Sequence, residues 1–527
     1  MDTYTGQHTD GKGSRQYISS LCRLTAISHH IRNVAISLTP LWRTIPSFAS
    51  VSAHILPSFI QRSGAQPLEL HMDAFCPFPI DNIIEDTSTA RRVQTLHVYH
   101  ALVGDNRFPA RIIARLGPTL SCLHIAPYND FSVTSREAPR YDLFPNATPA
   151  LHALALALPG PLSLPDDPSF PSLAHLRITG SKGNNGINMP TLLRFLSKTP
   201  ALQTLFLKGL RVEPLEAGGG GFPPGPVHLL KMRILCIDGP QWQPPPGPLY
   251  LFQHIHLAPQ VIIRLNSIQI RPGNPPPSPS PFPAVNSAHT LEIMESSSHA
   301  LHFRLQGLQS GLWFHLEELN RFSPQFRTHT VLELLNSTGG SALDTVHTLR
   351  VASKRQALDA IPRTSFHRHF LYPTPRHLPS LTTLVFAAPD TDLELYTLCE
   401  LLTLGAGPLD VPFPQLQNLE IQTHSPIQDY NPLAAMLEKR SAHGHPVTRL
   451  TIRMPFNREI PELPADHDLV KLQERVQEFD VAAVETAPWN PDRDPFWHLE
   501  NKYWPLWSEE DSGDAMWSVY RFGWGSS

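Results

Sequence analysis

Histidine is the residue that first suggests chemistry in this chain, because the 527 residues contain 27 of them. Three close pairs stand out: His254 with His256, His367 with His369, and His443 with His445. A zinc site needs three or four ligands that converge tetrahedrally, and those ligands usually follow a recognisable spacing. None of the three pairs has a matching Cys or His nearby in the sequence. We therefore predict no metal site and no cofactor.

Sequence motifs of the common enzyme classes are absent as well. The chain contains no G-x-S-x-G, no phosphate-binding loop, no dinucleotide-binding glycine fingerprint and no H-E-x-x-H. The four glycines at 218–221 are flanked by prolines rather than by a strand and a helix, which indicates a flexible turn. The sequence thus predicts a protein that is not an enzyme.

Charge and cysteine content restrict the partners and the compartment. The formal net charge is −4 and no long Lys/Arg run occurs, which argues against nucleic acid and anionic membrane surfaces as partners. No run of about 18 apolar residues is present, so a membrane span is not expected. The five cysteines are scattered and form no C-x-x-C pair. This usage is typical of intracellular proteins with buried thiols, and we expect a cytoplasmic or nuclear location.

A repeated pattern, L-x-x-L-x-L, supplies the elements that would position any site. Its middle leucine falls at ten places: Leu96, Leu123, Leu154, Leu176, Leu205, Leu235, Leu349, Leu384, Leu419 and Leu450. Leucine-rich repeats recur about every 20 to 29 residues, and the intervals here bracket and slightly exceed that range. Each copy predicts a short strand with its leucines inward, and one such unit must stack on another to bury them.

The predicted fold class is α/β, an irregular leucine-rich-repeat-like solenoid of short parallel strands with helical or loop returns. Helical spacing predicts returns at 191–198, 393–403 and 431–444, with Gly444 ending the last helix. Because alternate residues of a strand face opposite ways, a set of histidines is interpreted as solvent-exposed. These are His97, His124, His152 and His175.

Several segments interrupt or follow the repeats. Pro/Gly-rich insertions are predicted at 214–226, 240–248 and 272–283, and the register is uncertain over 252–335. Near the end, Leu469, Leu472, Val476 and Phe479 have helical spacing. The final residues are rich in tryptophan, a common interface residue, so this tail either binds a partner or caps the array. The tryptophans predicted to bind a partner are Trp497, Trp504, Trp507 and Trp517.

The amino-terminal segment reads "LTAISHHIRNVAISLTPLWRTI" from 24 to 45. Apolar residues near one face predict an amphipathic helix, Pro40 stops it, and a bulky anchor follows. The apolar residues and the anchor are Ile27, Ile31, Val34, Leu38 and Trp42. By itself this segment predicts a helix that packs on the first repeat.

Together with "FIQRSGAQPLELHM" at 59–72, this segment resembles the start of a large fungal family of F-box-like proteins with leucine-rich repeats. The matching positions in the first stretch are Arg32, Val34, Ala35, Leu41, Trp42 and Ile45. Those in the second are Arg62, Ser63, Gly64, Pro67, Leu68 and Leu70. The end, "LAAMLEKRSAHGHPVTRLTI", is similar too, so the resemblance spans roughly 20–455. The family's cysteine falls at Ser28, its first arginine at His29 and its tryptophan at Ile31, and its Leu-Pro-x-Glu helix has no match before residue 20.

The resemblance implies the substrate-recognition subunit of a Skp–cullin–F-box ubiquitin ligase, in which the chemistry occurs on other subunits. Contact with the Skp-type adaptor would then use Ile27, Ile31, Val34, Leu38 and Trp42, and the array would hold an unknown protein substrate. The alternative is an interaction scaffold with no ligase link, or a truncated, diverged copy. The expected organisation is a disordered polar stretch (1–19), a partial F-box-like segment (20–46), the repeat array (47–460), and a helix with a Trp-rich tail (461–527).

Overall fold

The computed structural model describes the chain in nineteen ranges. These are 20–21, 23–45, 56–73, 85–101, 107–127, 150–158, 170–180, 186–208, 211–213, 225–238, 251–266, 287–297, 300–316, 343–353, 377–388, 392–403, 411–423, 427–455 and 467–484. They divide into two compact units, the first ending at Leu257 and the second beginning at Ala258. The described part is mixed α/β, with mostly parallel strands and few helices.

Short helices lie between many of the strands. They are α1 (His29–Ser37), α2 (Leu56–Arg62), α3 (Thr87–Ala90), α4 (Arg107–Leu116), α5 (Met189–Ser197), α6 (Asp392–Thr403), α7 (Asn431–Ala442) and α8 (His467–Gln473). A 3-10 turn covers Thr39–Trp42. The three predicted helical returns are therefore confirmed, as α5, α6 and α7. Gly444 follows α7 with φ of 82°, the left-handed geometry that ends a helix.

The first unit contains strands β1 (Thr44–Ile45), β2 (Leu68–Asp73), β3 (Val93–Ala101), β4 (Cys122–Pro127), β5 (Ala153–Leu158), β6 (His175–Gly180), β7 (Gly186–Asn188), β8 (Thr204–Lys208), β9 (Arg211–Glu213), β10 (Val227–Leu229), β11 (Ile234–Asp238) and β12 (Ile255–Leu257). Its main array is parallel throughout, in the order β1-β2-β3-β4-β5-β6-β8-β11. Two small parallel pairs, β7–β9 and β10–β12, lie outside this array. Sequence order and spatial order agree, as expected of stacked repeats.

The second unit contains β13 (Ile262–Asn266), β14 (Thr290–Ser297), β15 (Ala300–Gln306), β16 (Gly311–Leu316), β17 (Thr348–Ser353), β18 (Thr383–Ala388), β19 (Asn418–Thr423), β20 (Arg449–Pro455) and β21 (Glu478–Val484). Strands β14, β17, β18, β19, β20 and β21 pair in parallel in that order. On the other side of β14, β15 and β16 pair antiparallel, and β13 pairs parallel with β16.

The repeat pattern and the strand register coincide. In the first unit the middle leucines Leu96, Leu123, Leu154, Leu176, Leu205 and Leu235 are direct partners on successive strands. In the second, Leu349, Leu384, Leu419 and Leu450 are aligned in the same way. All ten leucines are buried. The prediction of short parallel strands with inward leucines is confirmed, because one register places every copy's apolar set on the same face.

The structure corrects one sequence expectation and supplies the register that the sequence left uncertain. The helix predicted near the carboxyl end is too long, because α8 ends at Gln473. The prediction is based on Leu469, Leu472, Val476 and Phe479. Phe479 instead lies in β21 opposite Leu450, where it takes the place of a repeat leucine. In the uncertain middle segment, β14 to β16 form an antiparallel meander that the repeat pattern does not reveal.

Some predictions fall outside the described residues. These include the polar start (1–19), the insertions at 240–248 and 272–283, nearly all of 214–226, and the tryptophans Trp497, Trp504, Trp507 and Trp517. Within the described ranges, no helix combines the length and the apolar character needed to cross a membrane.

Candidate functional site

The amino-terminal helix α1 is defined by local hydrogen bonds. Ser28 caps it, with its Oγ accepting a hydrogen bond from the backbone N–H of Ile31 at 3.1 Å. The Arg32 Nε donates back to the carbonyl of Thr25 at 2.7 Å, which ties the helix to the residues before it. Ser28 therefore starts the helix as its N-cap residue.

Trp42 anchors this segment to the rest of the first unit. Its ring is buried, and its Nε1 donates to the carbonyl of Ala35 at 2.9 Å. Phe59 of α2 meets the ring edge to face at a centroid distance of 5.1 Å, and the Arg62 guanidinium lies 4.5 Å from the ring centroid. Trp42 thus holds α1 against α2 through aromatic and cation–π contacts.

The remaining predicted adaptor residues are more exposed than Trp42. Ile27, Val34 and Leu38 have 65%, 43% and 46% of their surface exposed, while Ile31 is partly buried. Leu24 is exposed as well. Three of the five residues therefore expose apolar side chains to solvent, whereas Trp42 is part of the packing. Exposed apolar surface of this kind commonly marks an interaction site.

The "RSG" stretch after α2 has a backbone explanation. Gly64 adopts φ of 56°, which a residue with a β-carbon disfavours. Arg92, just before β3, donates hydrogen bonds to the Ser63 hydroxyl and to the carbonyl of Gln66. These contacts fix the turn that leads into β2.

A second cluster of chemistry-bearing side chains lies on β2 and β3. Glu69 and His71 are two residues apart on β2, so they face the same way, and His97 of β3 is the direct register partner of His71. His71 Nε2 lies 3.0 Å from Glu69 Oε1, and His97 Nε2 lies 3.4 Å from the same oxygen. The two imidazole rings stack with centroids 4.4 Å apart.

Neighbouring strands complete the surroundings of this cluster. Thr44 of β1 donates its hydroxyl to Glu69 Oε2 at 3.3 Å. His124, the next partner along on β4, places its Nδ1 3.4 Å from the Nδ1 of His97. The cluster therefore extends over four adjacent strands.

The electrostatics of the cluster keep Glu69 charged and His124 neutral. Burial alone would raise the pKa of the Glu69 carboxyl, but hydrogen bonds and positive charge from His71 and His97 hold that pKa well below its usual range. Burial, reinforced by the charges of His97 and Arg177, lowers the pKa of His124 well below its ordinary value. A negative carboxylate thus faces two imidazoles, with a neutral ring behind one of them.

This arrangement corrects the expectation that the strand histidines are solvent-exposed. His97 has only 2% of its surface exposed, and His124 and His175 are partly buried, while His152 is exposed as predicted. Side chains at the same register on adjacent strands lie about 4.8 Å apart and cover one another. Aligning the repeats would have shown His97 and His124 at the same position, but not their contact with Glu69.

Where the structure describes the close histidine pairs of the sequence, their rings contact backbone carbonyls or another histidine. His443 Nδ1 faces the carbonyl of Lys439, and His445 Nδ1 that of Pro414. His256 lies beside His228 across the β10–β12 pair. Within the described ranges, the group of His, Cys, Asp or Glu with ligand atoms close enough for one metal ion is Glu69, His71 and His97.

The second unit contains a buried charged row that sequence reasoning missed. Arg264, Trp313 and Arg304 are register partners on β13, β16 and β15. The two guanidinium carbons lie 3.9 and 3.7 Å from the Trp313 ring centroid. Glu292 follows on β14 and accepts a hydrogen bond from Arg350 at 2.8 Å. Both stacked arginines are buried, so their guanidinium groups are held against the Trp313 ring inside the protein.

Comparison with known proteins does not assign either cluster a role. No protein-family model matches the sequence, and the search of curated proteins returns no significant match. The chemistry of these residues is therefore derived from their geometry.

Proposed function

We propose that this chain is a non-catalytic protein-binding repeat protein, the substrate-recognition subunit of a Skp–cullin–F-box ubiquitin ligase. The observation that carries the proposal is the exposed apolar surface of Ile27, Val34 and Leu38 above a buried Trp42. Val34 lies on α1, and Ile27 and Leu38 flank its two ends; exposed apolar residues on and beside a helix suit docking of a partner's helices. The resemblance to F-box-like proteins names that partner as a Skp-type adaptor.

In this proposal the aligned strands form a leucine-rich-repeat-like solenoid that holds a protein substrate. Support comes from the one-to-one pairing of consecutive repeats and from the returns α5, α6 and α7, each of which buries an apolar face. Ubiquitin transfer would take place on other subunits, so no catalytic residue is required of this chain. The proposed location is the cytoplasm or nucleus, in keeping with the buried thiols of Cys122, Cys236 and Cys399, none of which forms a disulfide.

The test is binding of the full-length chain to the host's Skp-type adaptor by pull-down and calorimetry. Ile27→Asp and Leu38→Asp place a charge on exposed positions, so the variants should fold but bind at least about tenfold more weakly. Leu230→Asp is the matched control, because Leu230 is equally apolar and 66% exposed elsewhere in the first unit. It should bind as the wild type does.

Trp42→Ala does not serve the same purpose. Trp42 is buried, so its removal would lower stability and would not report on adaptor contact. If the intact chain fails to bind the adaptor, or if both Asp variants bind unchanged, the ligase assignment is wrong. The alternative, an interaction scaffold with no ligase link, would then be preferred.

A further inference from the structure

We propose that Glu69, His71 and His97 form a binding site for a divalent transition-metal ion, zinc above all. The proposal is independent of adaptor binding and adds a ligand to a chain in which the sequence indicates none. It rests on the convergence of one carboxylate oxygen and two imidazole nitrogens from two adjacent parallel strands.

The distances fit the metal. Zinc bonds of about 2.0–2.1 Å at tetrahedral angles separate neighbouring ligand atoms by about 3.3 Å. The two imidazole nitrogens lie 3.0 and 3.4 Å from the Glu69 oxygen, and all three ligand atoms lie within 4.8 Å of one another.

The donor set selects the class of ion. Two imidazoles with one carboxylate suit zinc, cobalt, nickel, copper and iron, whereas magnesium and calcium prefer oxygen ligands alone. The single negative charge of Glu69 offsets part of the charge of a dication in a largely buried place. His71 and His97 have side-chain exposures of 10% and 3%, so coordination would occur with little access to bulk water.

Groups around the cluster orient the ligands in the way that metal sites require. Metal-bound histidines usually hydrogen-bond through the other ring nitrogen, and bound carboxylates are held by a further donor. The Nδ1 of His124 lies 3.4 Å from that of His97 and can accept a hydrogen bond from it, which leaves His97 Nε2 for the metal. The Thr44 hydroxyl holds the second oxygen of Glu69. Metal binding would join β2 and β3 directly, and would include β1 through the Thr44 hydroxyl. In the sequence, β1 follows shortly after Trp42.

The experiment is zinc titration of the full-length, tag-free protein after chelator treatment, by competition with a chromogenic chelator, with magnesium and calcium as comparison ions. We expect one zinc per chain, and no competition from the other two ions. Glu69→Gln and His71→Asn should each weaken binding by more than about a hundredfold, and Thr44→Val by about tenfold. His152→Ala and His443→Ala remove exposed or partly buried histidines outside the cluster and should leave affinity unchanged.

A second measurement on the wild-type protein avoids dependence on variants that fail to fold. Zinc should slow backbone hydrogen exchange in peptides from 68–73 and 93–101 and leave peptides from 431–445 unaffected. The proposal is overturned if the cluster variants bind zinc as the wild type does. It is equally overturned if zinc protects other segments or none.

Discussion

Cys399 shows how far one buried side chain departs from its behaviour in water. It lies on α6 with 4% of its surface exposed, and burial raises the pKa of its thiol to about 12. The thiolate is the reactive form, and at pH 8 a pKa near 12 leaves only about one thiol in ten thousand ionised. This cysteine is therefore a packing residue.

We expect iodoacetamide at pH 8 to leave Cys399 unmodified in the native protein and to alkylate it readily in denaturant. Peptide mass spectrometry after timed labelling provides the measurement, with the denatured protein as the reference. Native labelling at the denatured rate would show that α6 opens freely or that the thiol is not buried.

At the scale of the element, α7 is held by an unusual internal contact. Arg440 is fully buried and donates to the carbonyls of Leu402, Pro412 and Phe413 at 3.2, 2.8 and 2.9 Å. Phe413 adopts φ of 52°, a left-handed conformation that a β-carbon disfavours. The guanidinium therefore joins α7 to the end of α6 and to the strained turn before β19.

Arg440→Met should lower the free energy of unfolding by about 3 kcal/mol, because two buried carbonyls and a partly buried one lose their donor while the side-chain volume is nearly kept. Chemical denaturation of the variant and the wild type gives the difference. Lys439→Met is the control, since Lys439 is exposed on the same helix and its side chain should contribute within about 0.5 kcal/mol. Equal stability of all three proteins would contradict the role given to Arg440.

At the scale of the whole molecule, each unit owes its core to a row of aligned leucines. Leu205 lies in that row between Leu176 and Leu235, and Leu384 lies between Leu349 and Leu419. Each of these leucines is the direct partner of a leucine on the strand at either side, so a cavity in one strand should weaken both neighbours.

Leu205→Ala should destabilise the first unit by about 2–5 kcal/mol, and Leu384→Ala the second by a similar amount. Hydrogen exchange followed by mass spectrometry would resolve the two effects, as faster exchange in strands of the altered unit. Leu230→Ala, at an exposed position, should change neither. If either core substitution left hydrogen exchange unchanged throughout its own unit, the aligned leucines would not have the stabilising role described.

The sequence by itself determined the ten repeat strands (β3–β6, β8, β11 and β17–β20), their inward leucines and the three helical returns. Leucine spacing carries this information locally: Leu416, Leu419 and Ile421 identify the strand that became β19, and Gly444 marks the end of α7. Parallel order also followed, because consecutive repeats can bury their apolar faces only against one another. The five amino-terminal residues were recognised as apolar, but their division into exposed and buried was not.

The tertiary structure alone decided which side chains meet. Glu69 and His97 are 28 positions apart and touch because register sets β2 beside β3, and no local spacing records that pairing. The Arg264–Trp313–Arg304 stack arises from an antiparallel meander that departs from the repeat pattern. The spacing of Phe479 from its sequence neighbours predicts a helix, yet Phe479 lies in β21 and pairs with Leu450 of β20. Contacts between strands depend on pairing across the sheet, a long-range property that periodicity along the chain does not specify.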